Sequence, residues 1–235
     1  MCHNVCEEIP LSGGRITQGV VRKGDYVLRP CCFNSTFVHD VLKWLENKGV
    51  SISTRFVGLT DDGREITTFL EGTSPDDLGD FNDNQLFEAG KIIKELHSAL
   101  SDFPGCINGQ VVCHNDLSPC NFMFKDGLPY AVFDWDDADI ADPINDVTYA
   151  VWMWCDIGNS GNSPASVGKK IKVILDAYEL CIKERHSFIT KVSEQIQRSA
   201  CSFHAANRID AYDWANRCNH WLNKYRNEIT PHFTG

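Results

Sequence analysis

The stretch VVCHNDLSPCNFMFKDGLPYAVFDWDDADIADPIND, residues 111–146, is the most informative part of the chain. It sets His114, Asp116 and Asn121 in the pattern H-x-D-x-x-x-x-N. Two apolar runs then flank Asp126-Gly127, a dipeptide suited to a tight hairpin turn because both residues tolerate positive φ. Residues 122–125 and 130–133 are therefore expected to pair as antiparallel strands. With Phe124 opposite Ala131, the same register puts Asn121 opposite Asp134 at the open end of the hairpin. Opposed residues have Cβ atoms about 5 Å apart, so an amide oxygen and a carboxylate there can share one small cation. Hard oxygen donors that leave room for water and phosphate suit Mg²⁺. Asp116, on the same loop, can reach that cleft and accept a proton from a hydroxyl. One carboxylate base beside an Asn and an Asp that hold a metal ion is the working set of phosphoryl transfer from a nucleotide.

Working outward, LSGGRITQGVVRKGDYVLRP (residues 11–30) alternates around Gly13-Gly14 and Lys23-Gly24-Asp25, which predicts a hairpin. Residues 36–48 carry Phe37, Val41, Trp44 and Leu45 at helical spacing, with Gly49 placed to end the helix. RFVGL and EITTFLEG, joined by DDGR, read as a second hairpin. An acidic, turn-rich linker, TSPDDLGDFNDN, follows Gly72. NQLFEAGKIIKELHSAL is then an amphipathic helix burying Leu86, Ile92, Ile93, Leu96 and Leu100. Beyond residue 136 everything reads as helix: Asp142 caps the first one with Pro143 at its first position, and two or three long amphipathic helices follow. The expectation is an α+β chain of two lobes. Residues 1–72 would form a small β-rich lobe with one helix, and residues 73–235 a larger, mainly helical one.

Protein kinases place a basic residue inside the loop motif and Phe-Gly after the metal-binding Asp. Here the loop reads HNDLSPCN, the metal strand reads FDWD, and an A-P-E signature is missing. That combination resembles the aminoglycoside phosphotransferase family, with its choline-kinase-like and other small-molecule kinase relatives. The resemblance covers most of the chain, from residues 11–30 through KIIKELHSAL to the helical tail. It implies a bilobal protein-kinase-like fold with a small antiparallel-sheet lobe that binds the nucleotide. It implies that Asp116 orients and deprotonates the acceptor hydroxyl, that Asn121 and Asp134 hold Mg²⁺ on the phosphates of ATP (GTP staying open as donor), and that His114 braces the loop. Asp136 would support the metal or bind a second ion, and Asp146 would bond the loop backbone. Arg29 would meet the phosphates where the family presents Lys or Arg. Gly13 and Gly14 would admit the phosphates to the backbone, and Thr68, Phe69 and Leu70 would offer backbone groups to adenine. The family pairs its third-strand base with a Glu on the next helix; His39, Asp40 and Glu46 are the candidates, and spacing does not choose among them. The acceptor would be a small hydroxyl compound, either an aminoglycoside antibiotic or a metabolic alcohol such as choline, ethanolamine or a sugar.

Composition narrows the partners. The 235 residues carry a formal net charge of −10, which disfavours nucleic acid and anionic membranes and is compatible with a cationic substrate. Asp139 and Asp156 are candidates to line a pocket for one. The 11 Cys are odd in number, make no C-x-x-C pair and follow no signal-peptide core, so we expect reduced, buried thiols in the cytoplasm. Cys2, Cys6 and His3 could make half a zinc site but lack partners at zinc-finger spacing. No apolar run is long enough to span a membrane. Two alternatives share these motifs. AVFDWD also resembles the D-x-D strand of haloacid-dehalogenase phosphatases, with Asp134 as nucleophile and Asp136 as acid/base, but that family continues with alternating strands and helices. A non-catalytic ATP-binding module would have no need of Asp116.

Overall fold

A computed structural model of the chain describes residues 7–11 and 18–234. The first half builds a five-stranded antiparallel sheet in the order β1-β2-β3-β5-β4. Its strands are β1 (Ile9–Pro10), β2 (Val21–Lys23), β3 (Tyr26–Arg29), β4 (Phe56–Leu59) and β5 (Glu65–Thr68). Gly24, with φ of 63°, makes the β2–β3 turn. Helix α1 (Ser35–Asn47) crosses between β3 and β4 and turns Val38, Val41, Leu42 and Leu45 inward. It ends at Gly49, whose N–H bonds Glu46 C=O while the Val50 N–H returns to Leu45 C=O. That paired closure satisfies carbonyls the helix cannot satisfy itself, and Gly49 at φ of 74° permits it. Gly13 and Gly14 lie outside the described residues, as do Cys2, His3 and Cys6.

The second half is mainly helical: α2 (Asp83–Leu100), α3 (Ile144–Trp154), α4 (Pro164–Tyr178), α5 (Ile182–Arg185), α6 (Phe188–Ala205), α7 (Ile209–Ile229) and α8 (Pro231–Thr234). Asn82 starts α2 with a reciprocal cap, its side chain accepting from the Gln85 N–H while Gln85 accepts from the Asn82 N–H. Helix α3 begins one residue later than expected, with Pro143 in the N-cap place, and Asp142 Oδ1 accepts the Ile144 N–H at 2.9 Å. Two small ribbons complete this half, β6 (Val111–Cys113) with β9 (Asp139–Ala141), and β7 (Phe122–Lys125) with β8 (Leu128–Val132). One hydrophobic core runs from α1 through α2, α3 and α4 to Phe233, with Trp152 and Trp154 fully enclosed.

Four expectations need correcting. First, residues 139–141 are a strand paired with β6, so the chain is not all helix beyond residue 136. The turn at Asp126-Gly127 closes directly on Leu128, and a bulge separates Met123 from Phe124. Ala131 therefore pairs with Met123 instead of Phe124, so the ladder is one residue out of the predicted register. Phe133 N–H bonds Asn121 C=O at 3.1 Å, and Asp134 lies one residue past the point opposite Asn121. Third, among the described cysteines only Cys113, Cys155 and Cys218 are buried, whereas Cys31, Cys181 and Cys201 are exposed. Fourth, Asp134 leaves a two-stranded antiparallel ribbon, not a parallel α/β sheet, which removes the haloacid-dehalogenase reading. Among the described residues no helix is long and apolar enough to cross a membrane.

Candidate active site

The site lies where residues 114–121, the segment after β8 and strand β3 meet. Asp146, fully buried at the start of α3, organises the first of these. Its two carboxylate oxygens accept the backbone N–H of His114 and of Asn115, each at 2.7 Å. A third contact, to His97 Nε2 at 3.0 Å, ties the group to α2, and Tyr178 on α4 holds the other face of that ring. Three helices and the loop thus share one buried carboxylate. His114 donates from Nε2 to Phe133 C=O and accepts the Asp116 N–H at Nδ1, so its neutral tautomer staples the loop to the hairpin.

Asp116 projects from this loop with both oxygens engaged. Oδ2 accepts from Asn121 Nδ2 at 2.8 Å, and Oδ1 accepts from the Tyr149 hydroxyl at 2.7 Å. The same Asn121 Nδ2 also reaches the Asp116 C=O, so its amide nitrogen is used up and Oδ1 is left to accept a cation. Burial pushes the Tyr149 phenol well above its usual range, and the Asp116 charge adds to that. Tyr149 therefore stays protonated and donates.

Arg29 enters from β3 as the hub of a carboxylate cluster. It is ion-paired to Glu65 at 2.6 Å, to Asp134 Oδ1 at 2.9 Å and to Asp136. Burial opposes its charge, but Asp136, Asp134 and Glu65 outweigh that and raise its pKa above the ordinary arginine value. Glu65 comes from β5, directly opposite Arg29 in the ladder, and His39 on α1 braces its second oxygen at 2.7 Å. None of the three helix candidates pairs with Arg29: His39 acts through Glu65, Asp40 faces Lys43, and Glu46 faces Arg55. The sequence reading looked for the partner on the next helix, whereas the sheet register supplies it from the neighbouring strand. Glu65 and Tyr149 were both missed. Opposition of Arg29 and Glu65 across strands is a signal that strand pairing could have given; nothing in sequence spacing points to Tyr149.

Asp134 sits at φ of 65°, in the left-handed region that Asp tolerates better than most residues. That turn aims its side chain at Arg29. Asn34 donates to the carbonyls of Asp136 and Ala138, and Asn115 to that of Asp137, clamping the segment from both sides. Burial, then the charges of Asp116 and Asp136, hold the Asp137 carboxyl above its usual range. At the connector, Thr68 N–H and C=O are held by Arg55 and Thr54, and Phe69 N–H by Asp25. Of the expected adenine contacts this leaves the Phe69 carbonyl and Leu70. Asp139 bonds its own neighbour and Asp156 bonds Asn159, before and after α3 respectively.

The donor set fits a small, hard divalent cation. Asn121 Oδ1, the second oxygen of Asp134 and the second oxygen of Asp136 are hard oxygen donors of the kind Mg²⁺ requires, and among the described residues no hydrogen-bond donor sits on them.

Residues 108–161, which span the loop, the hairpin and α3, match the phosphotransferase enzyme family. An amicoumacin kinase, solved with AMP-PNP, Ca²⁺ and its ligand, superposes with a TM-score of 0.66 at 14% identity, covering 90% of this chain and 84% of its own. A choline kinase from Cryptosporidium parvum Iowa II gives a TM-score of 0.66 at 14% identity over 97% of this chain and 91% of its own.

The chain has the fold of the aminoglycoside phosphotransferases and choline kinases.

The resemblance first read from HNDLSPCN and FDWD thus extends over both lobes. The trifolitoxin immunity protein of Rhizobium leguminosarum bv. trifolii is 26% identical over 95% of this chain and 97% of its own length. The fold, and the segment at residues 108–161, are like those of known phosphotransferases.

Proposed function

We propose that this chain is a Mg²⁺-dependent kinase that moves the γ-phosphoryl group of ATP to a hydroxyl of a small toxin or antibiotic. The observation that carries the reading is the convergence of Asp116, Asn121, Asp134 and Arg29 at one cleft, on a loop fixed by the buried Asp146. Asn121 and Asp134 would hold the metal, with Asp136 beside them. The bound ion would neutralise phosphate charge as the γ-phosphoryl group leaves. Arg29, already partly buried and held by Glu65, would turn its free edge from Asp134 and Asp136 to the phosphates. Asp116 would accept a hydrogen bond from the acceptor hydroxyl, align it with the phosphorus and take its proton late, since transfer through a loose transition state depends mainly on positioning and charge.

The acceptor class rests on the relatives. One is named as a trifolitoxin immunity protein and another as an amicoumacin kinase, and phosphorylation of a hydroxyl adds bulk and negative charge that can abolish recognition by a target. The test is protection. A sensitive bacterium expressing the chain is challenged with a panel of aminoglycosides, amicoumacin and peptide toxins, beside cells expressing Asp116→Ala. Tolerance to one compound class, lost in the variant, supports the reading. Equal sensitivity of both strains, with choline or ethanolamine phosphorylated in extracts, would replace it with a metabolic kinase.

A further inference from the structure

We infer that Cys31, His39 and Glu65 form a second metal site, one for Zn²⁺ or a similar transition-metal dication, with a fourth position left to water. The inference is independent of the phosphotransferase reading, because metal binding is read without turnover.

Three elements bring the donors together. Glu65 lies on β5, opposite Arg29 in the ladder, and Cys31 follows Arg29 by two residues, so the chain leaving β3 stays within reach of that carboxylate. His39 comes from α1 and is fixed twice. Its Nε2 meets Glu65 Oε2 at 2.7 Å, and its ring stacks on Phe56 of β4 with centroids 3.8 Å apart. One ligand atom from each of the three residues lies within 4.8 Å of the other two. His39 and Glu65 are at least nine-tenths buried, whereas Cys31 is exposed. The fold has thus already desolvated two of the ligands, and the exposed thiol leaves an entry path and room for a water.

The donor types choose the ion. Thiolate and imidazole are too soft for Mg²⁺ or Ca²⁺, and a mixed sulfur, nitrogen and oxygen set suits Zn²⁺. Zinc bonds of about 2.0–2.3 Å in a tetrahedron place neighbouring donors about 3.3–3.6 Å apart. The His39–Glu65 contact therefore opens by about 0.6–0.9 Å, and Cys31 closes by about 1.2 Å at most, a shift within reach of a rotation at its side chain. The thiol gives up only a 3.4 Å contact to the Gly63 C=O, and S–H is a weak donor. The charges balance, since the dication meets one thiolate and one carboxylate. Cys31 releases its thiol proton to solvent, and the His39 proton moves from Nε2 to Nδ1 so that Nε2 can ligate. Arg29 holds the other oxygen of Glu65, so the site adjoins the nucleotide cleft without taking its partner away.

The experiment titrates the purified, chelator-stripped chain with Co²⁺. A near-ultraviolet charge-transfer band reports a thiolate ligand, and visible bands report four-coordination; cobalt held by the oxygen cluster at Asn121 and Asp134 gives no thiolate band. Wild type is compared with Cys31→Ser and His39→Gln, and with Cys181→Ser and Cys201→Ser as controls for the other exposed thiols. We expect one equivalent of cobalt with a thiolate band, bleached by Zn²⁺, unchanged in both controls and weakened at least about tenfold in Cys31→Ser and in His39→Gln. No thiolate band in wild type, or the same band and affinity in Cys31→Ser, overturns the inference. A band that needs Cys31 and not His39 also overturns it, because a surface thiol alone would then suffice. Should His39→Gln fail to fold, Cys31→Ser, at an exposed position, still decides. A chain that phosphorylates no acceptor would sink the phosphotransferase reading and leave this result standing, so the two failures are distinct.

Discussion

Arg29 faces three carboxylates at once, and the choice of arginine follows from that. A planar guanidinium offers five donors in a fixed fork, whereas an ammonium is a single point charge on a flexible stem. Glu65 takes one edge of the fork while Asp134 and Asp136 take the other. Arg29→Lys should therefore keep the fold but weaken nucleotide binding by roughly tenfold, because one ammonium cannot serve Glu65 and phosphate together. Calorimetric titration with a non-hydrolysable nucleotide checks it, and an unchanged Kd would show that Arg29 is only a strut. At the same scale, Asp116→Ala should bind nucleotide normally and lose transfer by about 10²–10⁴-fold. Much of this was legible from the sequence, because H-x-D-x-x-x-x-N and the later Asp are chemistry-bearing residues at fixed spacing. Glu65 and Tyr149 were not legible, because each reaches the site across the fold, one through strand pairing and one through helix packing.

Among the elements, α2 and α3 do most to hold the loop. Asp146 at the start of α3 accepts two backbone N–H groups and His97 of α2. Asp146→Asn replaces one acceptor oxygen by an NH₂ that faces donors. It should destabilise the protein by about 1–3 kcal/mol, the cost of leaving a buried donor unmet, and denaturant unfolding measures it. The α2–α4 contact is made close by Gly90, where an added Cβ would come within 2.8 Å of both Ala177 Cβ and Ile174 C=O. Gly90→Val should cost about 1–3 kcal/mol by forcing the helices apart, seen as a lowered melting temperature; an unshifted melt would mean that α4 slides freely. The helices themselves were readable because apolar residues recur at the spacing of one helical face. The register of β7 and β8 was not, because a bulge between Met123 and Phe124 displaces the pairing and leaves no mark in the alternation. Strand β9 escaped notice for a related reason: Asp139, Ile140 and Ala141 are too few and too acidic to read as a strand until β6 pairs with them.

For the whole molecule, the lobes are joined by more than the acidic linker. Val132 N–H and C=O on β8 bond Ile52 and Thr54, and Trp135 donates to Ser53. The sheet that carries Arg29 is thereby set against the hairpin that carries Asp134. A nucleotide bound between them should stabilise the whole fold through mass action, by about 2.7 kcal/mol at 100 times its Kd. The melting temperature should rise by several degrees with ATP and Mg²⁺ together and by less with ATP alone. Asp134→Asn should erase the difference between the two conditions, and a variant that kept it would place the metal elsewhere.

The central claim is that this cleft transfers phosphoryl groups to a hydroxyl through Asp116. It is tested most directly by incubating the protein with Mg²⁺ and γ-labelled ATP, and separately γ-labelled GTP, against hydroxylated antibiotics and metabolic alcohols, with Asp116→Ala in parallel. The account predicts label on one acceptor class, absent from the variant and from reactions without Mg²⁺. Nucleotide bound tightly by both proteins, with label on no acceptor in either, would contradict it and leave a binding module on a kinase fold.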